Sequence, residues 1–448
     1  MGKNSFACSE CGYIASKWMG KCPDCGSWNS FVEENLTRNP RKKIKKEIII
    51  HNLSEIKKSK NYRYKSCFKE FDHVLGGGAV IGEVVLISGS PGAGKSTLLL
   101  QVGIDYANRD TNVLYVSGEE SREQIKERSD RIGIKSDNFY IFQEIELELI
   151  IEAINQKKPK IVIIDSIQTI FSSEYDSIAG TVTQIRECTM KIVEIAKRNN
   201  ITFFVVGHIT KAGKVAGPKL MEHMVDAVVQ LEGEENYLYR ILRSYKNRFG
   251  PANETGIFNI DENGMSDVKN PAEFFVSQRD EENIGSIIVP VVEGSKIFLL
   301  EIQALVNTTV FGMPRRVIQG SDYNRFQIIC AILEKKLHQN ISNQDVYINL
   351  PGGMNIKDTQ IDLGIALALI STLNDYKINR RVAAIGELGL RGEIRKATFL
   401  KKRVKELEKL GFNEVYIPEA NRKELQNEKF KLELLFYKNV EECVKQIF

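Results

Sequence analysis

The sequence predicts an α/β fold class, with a parallel-sheet core set between a small cysteine-bound module and a further C-terminal domain. Three observations predict it. Between residues 83 and 208, four apolar runs of strand length alternate with helical stretches and end on polar residues. The first run opens into a glycine-rich loop and then a helix. Two CxxC pairs stand ahead of all this, within the first thirty residues.

At 448 residues the chain is too long for one core, so two or three domains are expected. Its composition, 42% hydrophobic and 27% charged, is that of an ordinary soluble protein. No apolar run is long enough to span a bilayer, and the start, MGKNSFACSE, lacks the apolar core of a secretory signal. A cytoplasmic protein with no membrane partner is expected. The net charge of +4 is less informative than its distribution: eleven Lys or Arg lie from Arg38 to Lys65, against Glu47 and Glu55. Such a stretch serves as an electrostatic arm for nucleic acid or as a solvated linker, and composition does not choose between them.

The run CSECGYIASKWMGKCPDCGSW holds Cys8, Cys11, Cys22 and Cys25 as two CxxC knuckles with ten residues between them. Four thiolates converging as a tetrahedron suit structural Zn²⁺ and leave no open position for catalysis. A redox dithiol or a disulfide pair are the alternatives, and the paired spacing favours zinc. Thirty residues bury too little apolar surface to fold alone, so the metal would supply the missing free energy. Trp18 and Trp28, the two tryptophans of the chain, are expected to pack beside the cluster. Cys67, Cys188, Cys330 and Cys443 show no pairing pattern and read as reduced core residues.

The strand EVVLIS at 83–88 is followed by Gly89, Ser90, Pro91, Gly92, Ala93, Gly94, Lys95 and Ser96, a match to G-x-x-x-x-G-K-[ST], with Thr97 continuing into a helix. Glycines let backbone N–H groups converge on phosphates, Lys95 neutralises the β/γ charge, and Ser96 offers a ligand to Mg²⁺. A nucleoside triphosphate, ATP, is the expected substrate. NVLYVS at 112–117 leads to Glu119, KIVIID at 160–165 ends in Asp165, and ITFFVVGH ends at His208. Asp165 fits a Walker B acid facing the water shell of Mg²⁺. Ligands of parallel sheets lie beyond the carboxyl ends of strands, so the three polar ends are expected to converge. Taken singly, Glu119 and His208 also read as turn or cap residues.

These residues, with FKEFDHVLGGGAVIGEVVLISGSPGAGKSTLLLQ, YVSGEES, GHITKAGKVAGPKLMEHMVD and KNRFG at 246–250, resemble the bacterial RadA (Sms) family of DNA repair proteins over essentially the whole chain. The resemblance implies a zinc ribbon at 1–30, a basic linker at 31–60, a RecA-like ATPase core at 61–270 and an α+β Lon-protease-like domain at 271–448. It implies a DNA-dependent ATPase that promotes branch migration and strand unwinding in recombinational repair. The expected form is a ring-shaped homohexamer on single-stranded and branched DNA, with ATP, Mg²⁺ and structural Zn²⁺ as cofactors and RecA recombinase as a candidate partner. By position, Glu119 would activate the attacking water, Asp165 would be the Walker B acid, and His208 would sense the γ-phosphate. Lys211, Lys214 and Lys219, in the loop from Thr210 to Leu220, would face DNA. Lys246 and Arg248 would reach the neighbouring subunit's nucleotide, although KNRFG alone also reads as a basic β-turn.

After Asn270-Pro271 the pattern resets. PGGMNIKDTQIDLGIALALIST and IGELGLRGEIRKATFLKKRVKELEKLGF resemble the proteolytic domain of Lon, whose nucleophilic serine and basic lysine fall on Asp362 and Arg403. A carboxylate is a poor nucleophile for peptides, and a guanidinium stays protonated and cannot act as base. Lys401 and Lys402 lie nearby without a serine to activate. The domain is expected to be a proteolytically inactive scaffold with a basic surface. Two other readings stand beside the motor: an ATP-switched scaffold resembling KaiC-like proteins, and a protease, which Asp362 and Arg403 disfavour.

Overall fold

The computed structural model describes residues 4–8, 13–24, 26–35, 52, 54, 63–208, 218–233, 239–268, 282–309, 312–350 and 356–448. The chain divides into two compact units, Met1–Asp267 and Val268–Phe448.

The first unit opens with strands β1 (Asn4–Cys8), β2 (Ile14–Ala15) and β3 (Phe31–Asn35), an antiparallel sheet in the order β2-β1-β3. Cys8, Cys22 and Phe31 are buried together, with Phe6, Ala15 and Met19 against them. β3 lies beyond residue 30, so the ribbon sheet takes the first five residues of the stretch expected to be linker. Phe31 closes the small core. Trp18 and Trp28 are 53% and 71% exposed, contrary to the expected packing beside the cysteines.

Next come β4 (Arg63–Tyr64), α1 (Lys69–Val74), β5 (Ala79–Val80), β6 (Val84–Gly89), α2 (Lys95–Asn108), β7 (Val113–Ser117), α3 (Arg122–Ile132), β8 (Phe139–Gln143), α4 (Leu147–Lys157), β9 (Ile161–Asp165), α5 (Val182–Asn199), β10 (Thr202–His208) and α6 (Pro218–Met224). β11 (Ala227–Glu232), β12 (Tyr239–Asn247), β13 (Thr255–Asp261) and β14 (Gly264–Asp267) complete the unit. Nine strands form one sheet in the order β14-β13-β12-β11-β6-β10-β9-β7-β8. From β11 to β8 all pairings are parallel, and β12, β13 and β14 extend the sheet antiparallel.

The central strands are apolar throughout because both faces are covered. In β9 and β10, Ile161, Ile163, Phe204 and Val206 face one apolar layer with Leu98, Leu99 and Tyr106 of α2. Val162, Ile164, Phe203 and Val205 face the other, with Ile150 and Ile154 of α4 and Ile185 and Ile192 of α5. That is the two-residue alternation of a pleated strand, invisible in the sequence when both faces are apolar. Local signals set the helix ends. Ser121 and Gln124 form a reciprocal capping box on α3, and Gly133 ends it at φ 74°.

Register fixes which residues share an end of the sheet. Leu231 of β11 lies opposite Gly89 of β6, and Ala227 opposite Val85. β12 runs back beside β11, with Asn247 opposite Ala227. Residues 246–248 therefore lie at the start of β6, and the glycine-rich loop lies at its far end.

The second unit holds β15 (Glu282–Ile284), β16 (Ser286–Glu293), β17 (Lys296–Thr308), β18 (Arg316–Gln319), α7 (Tyr323–Leu337), β19 (Gln344–Asn349), α8 (Asp362–Leu373), β20 (Lys377–Asn379), β21 (Val382–Ala384), β22 (Glu387–Leu388) and β23 (Ile394–Arg395). It ends with α9 (Leu400–Lys409), β24 (Glu414–Pro418), α10 (Arg422–Leu425), β25 (Glu433–Tyr437) and α11 (Val440–Ile447). Seven strands make a mixed sheet, β18-β19-β17-β16-β21-β24-β25. α8 is buried from Asp362 to Ser371. Gly364 lets it lie on the sheet, since a Cβ there would collide with Val289.

Candidate nucleotide site

β6 ends at Gly89, where any Cβ would strike the Leu231 carbonyl oxygen of β11, so the position needs glycine. Ser90, Pro91 and Gly92 are exposed, Ala93 is buried, and Gly94 at φ 98° starts α2 without a side-chain cap. The first N–H groups of α2 are thereby left for an anion. Ser96 and Thr97 sit half-buried in the first turn. Lys95, only 4% exposed, folds back over the loop and donates to the carbonyls of Gly89 (3.0 Å) and Ser90 (2.9 Å). Burial lowers its ammonium pKa, and the charges of Asp165 and Glu119 oppose that shift. Arg240, buried on β12, donates from Nε to the Ala93 carbonyl (3.1 Å) and pins the loop from the side.

The three polar strand ends do converge. The Glu119 carboxylate, on the turn after β7, accepts from Ser166 Oγ (2.5 Å), and His208 Nε2 lies 3.1 Å from the same oxygen, Oε1. Asp165, 6% exposed, accepts from Tyr115 Oη at 2.6 Å. Burial first, and then the Asp165 charge, push the Tyr115 phenol well above its ordinary pKa, so it stays a donor. The two turns are pressed together: the Gly118 N–H donates to the Asp165 carbonyl at 2.9 Å, and a Cβ at Gly118 would collide with Thr169. The neighbouring Glu120 points elsewhere. It pairs with Arg128, and its N–H donates to Ser117 Oγ at 3.0 Å.

Tyr115, Ser166 and Arg240 escaped the reading from sequence. Each carries a polar group into a buried position, where it must find a partner. A tyrosine inside VLYVS was the available signal.

Lys246 and Arg248 are not brought to this chain's own loop. Lys246 Nζ donates to the carbonyls of Glu222 (2.5 Å), Val225 (2.9 Å) and His223 (3.4 Å), closing the end of α6. Arg248 reaches Asp226 Oδ1 at 3.3 Å. Asp226, 2% exposed, also accepts from the Val84 N–H (3.0 Å) and Lys197 Nζ (2.5 Å). Four residue steps separate Val85 from Gly89, about 13 Å along a strand. Lys211 and Lys214 lie outside the described residues, and Lys219 falls in α6 with its side chain outside them.

The ribbon cysteines are placed in part, since Cys11 and Cys25 lie outside the described residues. Among the described residues there is accordingly no group of three or more metal-ligating side chains. The residues that are placed fit a metal. Cys8 and Cys22 are buried in one core and open equivalent knuckles, with Cys8 N donating to the Tyr13 carbonyl (2.9 Å) and Cys22 N to the Ser27 carbonyl (2.8 Å).

In the second unit, Asp362 and Arg403 are each tied to another partner. Asp362, fully buried, accepts from Arg325 Nε (3.0 Å) and from the Leu388 N–H (3.0 Å). Arg403, 1% exposed, donates to Asp358 Oδ2 (2.7 Å), to the Thr398 carbonyl (3.0 Å) and to the Pro290 carbonyl.

Residues 53–214 match the AAA domain family, residues 6–33 the rubredoxin metal binding domain, and residues 301–421 the subunit ChlI of Mg-chelatase. The chain is 46% identical over 426 residues to the DNA repair protein RadA of Halalkalibacterium halodurans, covering 94% of this chain and 93% of that one. It is 44% identical over 428 residues to RadA of Bacillus subtilis, with 94% and 93% covered. RadA of Streptococcus pyogenes serotype M6 is 45% identical over 420 residues, with 93% and 92% covered. Among solved structures, a KaiC-like protein from Pyrococcus horikoshii OT3 is 22% identical and covers 46% of this chain and 98% of that one, with a TM-score of 0.38. An AAA-type ATPase core behind a metal-binding ribbon, shared with these relatives over nearly their full length, makes the chain an ATP-hydrolysing member of the RadA family of DNA repair proteins.

Proposed function

We propose that this chain is a DNA-dependent motor of recombinational repair, promoting branch migration and strand unwinding on single-stranded and branched DNA as a homohexameric ring. The observation that carries the reading is the Glu119 carboxylate, shared by Ser166 and His208 beside Lys95 and Asp165. In this reading Lys95 leaves its loop carbonyls for the β/γ-phosphates, and the α2 N-terminus takes the rest of that charge. Bound Mg²⁺ would neutralise phosphate charge, held through Ser96 and through water on Asp165, which Tyr115 keeps in place. Glu119 accepts the proton of the attacking water. His208 Nε2 turns from Glu119 to the γ-phosphate and so reports its presence to the segment that follows, where Lys211, Lys214 and Lys219 face DNA.

Lys246 and Arg248 act on the neighbouring chain's nucleotide, as their distance from the chain's own loop suggests. The four ribbon cysteines hold a structural Zn²⁺. The second unit is a Lon-like scaffold in which Asp362 and Arg403 serve the fold. RecA recombinase is the proposed protein partner. ATP hydrolysis measured with and without single-stranded DNA tests the motor. Stimulation of roughly tenfold or more is expected, and a rate indifferent to DNA would instead mark an ATP-switched scaffold.

A further inference from the structure

Both tryptophans of the chain lie on the ribbon with their rings open to solvent, Trp18 at 53% and Trp28 at 71% exposure. Indole is a costly side chain to leave in water, at about 25 cal/mol per Å² of apolar surface. The two rings are neighbours. Gly20 lies bare between them, with ring atoms of both Trp18 and Trp28 3.9–4.0 Å from the place its Cβ would take. Backbone pairing holds them there: Lys21 bridges to Trp28, and the Asn29 N–H donates to the Gly20 carbonyl at 2.8 Å. The Lys21 ammonium sits 5.5 Å from the centre of the Trp28 ring. Phe6, Met19 and Phe31 already fill the ribbon core, so the indoles do not build it.

Two exposed indoles that approach the same glycine, with an ammonium over the ring of Trp28, match an unpaired nucleobase and its phosphate. The ribbon's own charge balance does not favour DNA, since its sequence sets Lys3, Lys17 and Lys21 against Glu10, Asp24, Glu33 and Glu34. The sequence supplies the complement directly after β3, with nine Lys or Arg from Arg38 to Lys60 against Glu47 and Glu55. We propose that Trp18 and Trp28 form a base-stacking platform by which the ribbon grips single-stranded DNA, with Lys21 on a phosphate. This rests on the DNA-dependent reading above. A duplex keeps its bases stacked on one another and offers the platform nothing, so the site selects single strands without reading sequence.

Because the chain has no other tryptophan, emission excited at wavelengths that tyrosine does not absorb reports this site alone. The full-length protein is titrated with unlabelled oligo-dT, and binding of the same oligonucleotide carrying fluorescein is followed in parallel by anisotropy. Tryptophan emission is expected to fall by roughly half, in step with binding, and a duplex of equal length is expected to leave it unchanged. Trp18→Ala/Trp28→Ala is expected to weaken oligo-dT binding by roughly tenfold or more. Trp18→Phe/Trp28→Phe, which keeps the rings, is expected to restore most of it with the zinc content of the parent. Oligo-dT that binds without quenching, with both variants at parental affinity, overturns the platform and leaves the indoles to a protein partner. No binding of oligo-dT at all defeats the DNA-dependent reading itself and the platform with it.

Discussion

Glu119 and Glu120 are adjacent in YVSGEES and chemically alike, yet only Glu119 faces the site. Glu120 is held by Arg128, whereas Glu119 is held by Ser166 and His208. Glu119→Gln is expected to keep ATP bound and cut hydrolysis by about 10²–10⁴-fold, since the proposed proton acceptor is lost while Asp165, the larger of the two charges that support the Lys95 ammonium, stays in place. Lys95→Ala is expected to lose binding and hydrolysis together. Fluorescent-nucleotide binding and phosphate release separate the two, and normal turnover by the Glu119→Gln variant would remove Glu119 from the chemistry. Tyr115→Phe deletes one hydroxyl while the strand stays packed, so Asp165 loses its 2.6 Å donor. Its signature is expected in the Mg²⁺ titration, as a several-fold rise in the half-saturating concentration with thermal stability nearly unchanged. At this scale the sequence was legible wherever chemistry is tied to spacing, as in Gly89 to Ser96. Tyr115 and Ser166 were hidden because a hydrogen bond between distant strand ends leaves no local pattern.

Among the elements, β6 carries a titratable liability at its start. Glu83 is 2% exposed, its Oε1 lacks a hydrogen-bond partner, and burial pushes its carboxyl from 4.5 to about 8. The folded chain therefore keeps a proton that the unfolded chain releases near pH 4.5. Stability from this group is fully present below that value and is lost as pH rises to about 8, by at most about 1.4 kcal/mol per pH unit. Glu83→Gln is expected to flatten the fall, so urea midpoints at pH 6 and pH 8.5 should differ less than in the parent. Equal differences would mean that Glu83 titrates normally. In the second unit, Arg403→Met strands the Asp358 carboxylate and is expected to destabilise that unit by about 3–5 kcal/mol, read by urea unfolding. Parental stability would show that the buried pair contributes nothing to the fold. The strands β6, β7, β9 and β10 could be read from apolar runs to within a residue of their ends. The short β3 and the outward tryptophans could not, because which residue closes so small a core depends on volumes rather than on pattern.

For the molecule as a whole, the informative fact is that the glycine-rich loop and KNRFG occupy opposite ends of the same sheet. The sequence distance between Lys95 and Arg248 could not reveal this, because it depends on β12 running antiparallel to β11. Arg248→Ala is expected to bind ATP and hydrolyse it slowly. Mixed with Lys95→Ala chains, it should recover activity that neither variant has alone. No recovery despite proven co-assembly would confine Arg248 to its own chain or to DNA. If Arg248 acts on a neighbour's nucleotide, a donor and an acceptor at opposite ends of one sheet suit a heterologous, head-to-tail contact. In such a stack each contact completes one site, and an open stack leaves one terminal site without its donor. Closure into a ring rescues that last site. Activity per chain should therefore climb with assembly and level off at closure, so that dilution alone acts as an off-switch.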